Sequence, residues 1–174
     1  MEQARGHLRR ATMKPMMATW TFHRFERTGN RWIDTLDADA IAGVLAPTKP
    51  EIEATLSLDA VFSIRDTVWP LAWRLCLEPL SAVLSEGQVQ WQYRCFNSPT
   101  QVVLRAADDR VYVRRDTQPE IAFLASELWP ALVAAGSRVL ALAERDRGPT
   151  DRNVALLRPA RDQAEEILRK RGWI

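Results

Sequence analysis

Apolar and polar residues alternate in two long stretches of the chain, and each stretch predicts strand with one buried face. From Ala54 to Ile64 every even position is apolar (Ala54, Leu56, Leu58, Ala60, Phe62, Ile64), while the odd positions are polar apart from Val61. From Gln88 to Asn97, the residues Val89, Trp91, Tyr93 and Cys95 alternate with Gln88, Gln90, Gln92 and Arg94. A turn at Asn97–Thr100, a strand over Gln101–Ala106, a turn at Asp108-Asp109 and a strand over Val111–Arg115 complete an antiparallel meander at 88–115. A further alternation over Ala18–Arg27, then Thr28-Gly29-Asn30, predicts a strand that turns back into a short one at Arg31–Ile33.

The remaining segments read as helices. Asp37 caps a short one that ends at Leu45, before Pro47. Asp66 stands as the N-cap of a helix running from Trp69 to Leu84, with Pro70 in its first turn and Gly87 closing it. Pro79 should kink or split that helix. Thr117-x-x-Glu120 has the form of a capping box ahead of Ile121, Leu124, Leu128 and Leu132, in a helix ending at Gly136. Pro130 conflicts with that helix, and Ser137–Arg147 fits a helix or a strand equally. Pro159–Arg171 places its acids early and its bases late, as a helix dipole favours. The pattern therefore predicts an α+β domain over residues 18–174, behind a loose leader at 1–17. Its core would be an antiparallel sheet of about four to six strands with helices packed on one face.

A chain of 174 residues, 47% hydrophobic and 26% charged, suits one globular domain and excludes disorder as its global state. The net charge of +2 is uneven: residues 1–15 carry +3, residues 158–174 carry +2, and the body between carries −3. Positive charge at the ends argues against a nucleic-acid surface on the fold itself, and leaves basic termini as an alternative. Two cysteines, no secretory signal and no run of 18 apolar residues predict a cytoplasmic protein without a membrane span.

Candidate chemistry is sparse. His7, His23, Cys76 and Cys95 are too scattered for a metal site, and the seven glycines occur singly, without a phosphate-binding loop. Gly136-Ser137 lacks the frame of a nucleophile elbow. Asp108-Asp109 suits a hairpin tip, Glu51 and Glu53 suit solvent, His23 suits a half-exposed strand and Cys95 a core thiol. No cofactor or metal is expected. Two surfaces are left as candidates. Trp69 and Trp73, at i and i+4, form either an exposed stripe or core, with core the default. The polar strand face of Gln90, Gln92 and Arg94, with Arg105 and Arg114 beside it, is the better surface for a partner. Gln90, Gln92, Arg94 and Arg114 are the expected contact residues.

The segments RDTVWPLAWRLCLEPLSAVLSEGQVQWQYRCF (65–96), QVVLRAADDRVYVRR (101–115) and PEIAFLASELWPALVAAG (119–136) lay out helix, strand meander and helix in turn. That layout resembles the small cytoplasmic immunity proteins of bacterial polymorphic toxin systems. The resemblance implies a non-catalytic inhibitor that neutralises a cognate toxin by binding it directly, and it assigns no individual residue. The alternatives are a nucleic-acid-associated or regulatory protein acting through its basic termini, and an enzyme with a dispersed site.

Overall fold

The alternation over 54–64 turns out to encode two strands. In a computed structural model, which describes residues 15–26, 31–35, 43–46 and 52–174, strand β3 (Ile52–Leu58) turns at 59–61 into β4 (Phe62–Thr67). Leu58 pairs with Phe62, so a three-residue connection keeps both on the same face and the even-odd pattern passes through unbroken. Asp59 and Ala60 both adopt positive φ, 46° and 57°, as mirror-image hairpin turns require. Neither residue is glycine, so the turn leaves no glycine signal.

β1 (Ala18–Glu26) pairs with β3 on one side and with β2 (Arg31–Thr35) on the other, giving an antiparallel sheet in the order β2-β1-β3-β4. The meander forms as expected from β5 (Gln90–Arg94), β6 (Gln101–Ala107) and β7 (Arg110–Arg115). A fourth strand, β8 (Ile121–Leu124), extends it into a second antiparallel sheet ordered β5-β6-β7-β8. The α+β class holds, with eight strands among the described residues shared between two sheets where one sheet was expected. The expected helix at 37–45 lies mostly outside the described residues, and 43–45 form a turn.

β8 overturns the capping box. Ile121–Leu124 is extended, the helix that follows starts only at Ala125, and Glu120 is engaged instead with Arg105 at 2.8 Å across the sheet. That helix, α3 (Ala125–Arg147), also runs on past Gly136 and settles Ser137–Arg147 as helical. Gly136 is a close-packing residue rather than a terminus. A Cβ there would stand 2.6 Å from two side-chain carbons of Leu77, which is fully buried. Trp20 stitches the first sheet to the same stretch of α3, its indole N–H donating to the Ala135 carbonyl at 2.9 Å. The last helix, α4 (Arg152–Arg171), starts a full two turns ahead of Pro159, capped by Asp151, which accepts from the Asn153 N–H at 2.8 Å.

Pro79 has the most consequential local effect. Helix α1 (Val68–Pro70) leads directly into a π-helical stretch (Leu71–Leu77), and that into α2 (Glu78–Leu84). The Glu78 N–H reaches back five residues to the Trp73 carbonyl. In that spacing the Arg74 carbonyl should receive the N–H of residue 79, and proline has none. The helix therefore continues through the proline with a widened turn and one carbonyl left over.

Replacing Gly136 with Ala should lower unfolding stability by about 1–3 kcal/mol, because Leu77 has no room to yield. A urea titration checks this; an unchanged midpoint would show that the helices separate freely there.

Candidate binding groove

Asp66 continues the inward phase of Phe62 and Ile64, so β4 carries a carboxylate into the interior. It does not cap the helix, whose N-cap is Thr67 with no side-chain bond. Its carboxylate accepts the Tyr93 hydroxyl at 2.5 Å, the Phe96 N–H at 2.8 Å and the Asn97 N–H at 3.1 Å. Three converging donors stand in for the water that burial removes. Burial, reinforced by the Asp66 hydrogen bond and charge, pushes the Tyr93 phenol far above its ordinary range and keeps its proton in place as a donor. Asn97 adds bonds from its side-chain amide to Thr67 Oγ1 (2.9 Å) and Glu53 Oε1 (3.2 Å). The tip of the β5–β6 hairpin is thereby fastened to the end of the other sheet.

Trp91, on the same inward face of β5, supplies what Pro79 cannot. Its indole N–H donates to the leftover Arg74 carbonyl at 2.7 Å. The Arg74 guanidinium lies between two indoles, 5.4 Å from the Trp73 ring and 5.1 Å from the Trp91 ring, and pairs with Glu78 at 3.2 Å. β5 is thus held at both ends, by Asp66 at one and by the π-helical stretch at the other.

Between β5, that helical stretch and the start of α4 lies a groove of about 850 Å³. Trp69, Trp73, Tyr93 and Phe96 supply aromatic surface, and Leu156 and Leu157 of α4 line it as well. The Phe96 side chain is 72% exposed although its N–H is held by Asp66. Arg94 and Arg152 stand among the lining residues, and none of these is a carboxylate. Several other arginines are matched with acids: Arg65 with Glu53, Arg105 with Glu120, Arg147 with Asp151 and Arg158 with Glu144. Among the described residues, Arg94 and Arg152 have no such partner, and both are exposed.

The expected contact residues divide. Strand register places Gln90 opposite Arg105, and Gln92 opposite Val103, itself opposite Arg114, so these polar side chains do share one face of the second sheet. Only Gln92 and Arg94 also line the groove; Gln90 and Arg114 do not. Arg105 is occupied by Glu120 and lies over the Tyr112 ring at 4.3 Å. Trp69 and Trp73 are half-buried: they pack against the core, as expected by default, and also line the groove. Phe96, Arg152 and Leu156 join the groove from outside the expected set. Phe96 carried a signal, being apolar at an even position where Gln88 to Arg94 are polar.

Other groups are accounted for locally. His23 is buried rather than half-exposed, its Nε2 within 2.7 Å of Thr55 Oγ1. Cys76 and Cys95 are both free thiols, the first buried and the second partly so. Burial pushes Cys95 up to about 11. No group of three potential metal ligands occurs among the described residues, and none of their helices is long and apolar enough to cross a membrane. No known protein family, curated protein or solved structure matches the chain.

Tyr93→Phe removes one donor from a buried carboxylate and should cost about 1–3 kcal/mol of unfolding free energy. Full stability in that variant would mean Asp66 is satisfied without it. Cys95 should react slowly with iodoacetamide at pH 7.5 and faster as pH rises toward about 11, where the reactive thiolate forms. A rate that levels off near pH 8.5 would contradict the raised value.

Proposed function

We propose that this protein is a non-catalytic protein-binding module whose groove beside β5 holds an acidic, apolar segment of its partner. The observation that carries this reading is the pairing of aromatic surface with two uncompensated arginines in one groove. Trp, Tyr and Arg are the side chains that dominate binding energy at protein interfaces, where planar rings and guanidinium groups anchor well. The aromatic walls are fixed from behind by Asp66 and by the Trp91–Arg74 bond, so little ordering remains to oppose association. The sequence resemblance gives the class of partner: an immunity-type module would cover a bacterial toxin domain and block it. Two free thiols suit the reducing cytoplasm as its place of action.

The nucleic-acid alternative draws less support from the C-terminal end. Arg169 and Lys170 are each within ion-pair distance of an acid one turn back, Glu165 at 3.1 Å and Glu166 at 2.6 Å. Their charge is partly spent within the helix.

The test is affinity capture from the native host with the wild-type chain and with an Arg94→Glu/Arg152→Glu variant. One stoichiometric protein partner should survive a high-salt wash on the wild type and be lost or strongly reduced on the variant. Equal capture by both would remove the groove from the account, and recovery of nucleic acid alone at low salt would favour the basic termini.

A further inference from the structure

Which backbone groups of β5 are already used follows from two hydrogen bonds. The Cys95 N–H donates to the Thr100 carbonyl at 2.9 Å, and the Ala106 N–H donates to the Val89 carbonyl at 3.1 Å. Both belong to pairs in the β5–β6 register, and hydrogen-bonded pairs alternate in an antiparallel ladder. The odd residues of β5 are therefore bonded to β6. Gln90, Gln92 and Arg94 direct their N–H and C=O groups the opposite way, toward the edge where the sheet order leaves no neighbour. No partner for these six backbone groups occurs among the described residues. A row of unmet donors and acceptors on a sheet edge is a template for another strand. Here that edge opens onto the groove, whose lining includes Gln92, Tyr93 and Arg94 themselves.

We infer that the partner segment binds as an added strand, pairing in extended form with Gln90, Gln92 and Arg94 along the edge of β5. This rests on the groove being the binding site and specifies how it is filled. In an added strand, successive side chains point to opposite faces. One set enters the groove, against Trp69, Trp73 and Leu156, and must be apolar or aromatic except where it meets Arg152, which takes an acid. The other set lies on the outer face beside Arg94, where unpaired positive charge selects Asp or Glu. The occupant is thus an extended segment of a partner protein in which apolar and acidic residues alternate. Main-chain bonds supply affinity and the two side-chain sets supply selectivity, as in other strand-addition complexes. A second copy of this chain fits less well: pairing β5 with itself would bring no acidic residue to Arg94, since the strand reads Gln-Trp-Gln-Tyr-Arg.

The test uses the full chain and a display library of random short peptides. Selected sequences should alternate apolar and acidic residues, and their binding should fall on Arg152→Glu, an exposed substitution in the first turn of α4. On adding a selected peptide, the amides of Gln92 and Arg94 should become protected from hydrogen exchange. N-methylation of the peptide amides that face β5 should weaken binding about tenfold or more, whereas methylating the alternate amides should not. Binding that depends on Arg152 yet leaves both amides exchanging as in the free protein overturns strand addition and leaves the groove reading intact. Binding indifferent to Arg152→Glu and Trp73→Ala, or no enriched sequence at all, overturns both. Protection of the same amides in a concentration-dependent dimer without peptide overturns the proposed occupant in favour of a second copy.

Discussion

The arrangement of this molecule depends on one buried carboxylate. Asp66 sits at the end of one sheet, and its three donors belong to the other sheet's edge strand and the turn beyond it. A carboxylate in that position would be severely destabilising if unpaired, so its bonds are far more than incidental contacts. Two of the three donors, Tyr93 and Phe96, come from residues that line the groove. The bond that joins the sheets therefore also shapes the proposed binding surface.

A second constraint acts from the helical side. A proline at position 79 widens the helix and orphans the Arg74 carbonyl, and the Trp91 indole satisfies it. The same Trp91 ring helps flank Arg74, with Trp73 on the other side. What reads locally as a defect in a helix becomes a second anchor for β5. Helix irregularities of this π type recur at functional sites, and here the freed Arg74 carbonyl takes its bond from outside the helix. Close packing of α3 on this segment through Gly136 leaves it little freedom to relax.

Much of this was legible in the sequence, and the exceptions have physical causes. The meander was plain because period-two alternation and turn residues agree there. Eleven residues of alternation at 54–64 concealed a hairpin because a three-residue loop preserves parity and its positive-φ positions are Asp and Ala. Asp66 has the sequence context of a cap, yet it extends the buried even phase of β4; a polar residue in an apolar phase is itself a signal of a buried network. Glu120 fitted a capping box, but four residues of β8 are too few to show a period. The groove was half visible, in Gln92, Arg94 and the Trp69/Trp73 spacing. Arg152 and Leu156 reach it only through the packing of α4, which no local pattern encodes.

Asp66 locks the turn after β5 to the opposite sheet, and amide hydrogen exchange at Phe96 and Asn97 reads that lock. Both residues are exposed and lie at a hairpin turn, where unbonded amides exchange rapidly. If the carboxylate holds them, both should exchange as slowly as the core amides of β6 and lose that protection in Asp66→Asn. Rapid exchange at both positions in the wild-type protein would mean that the two sheets are not joined there.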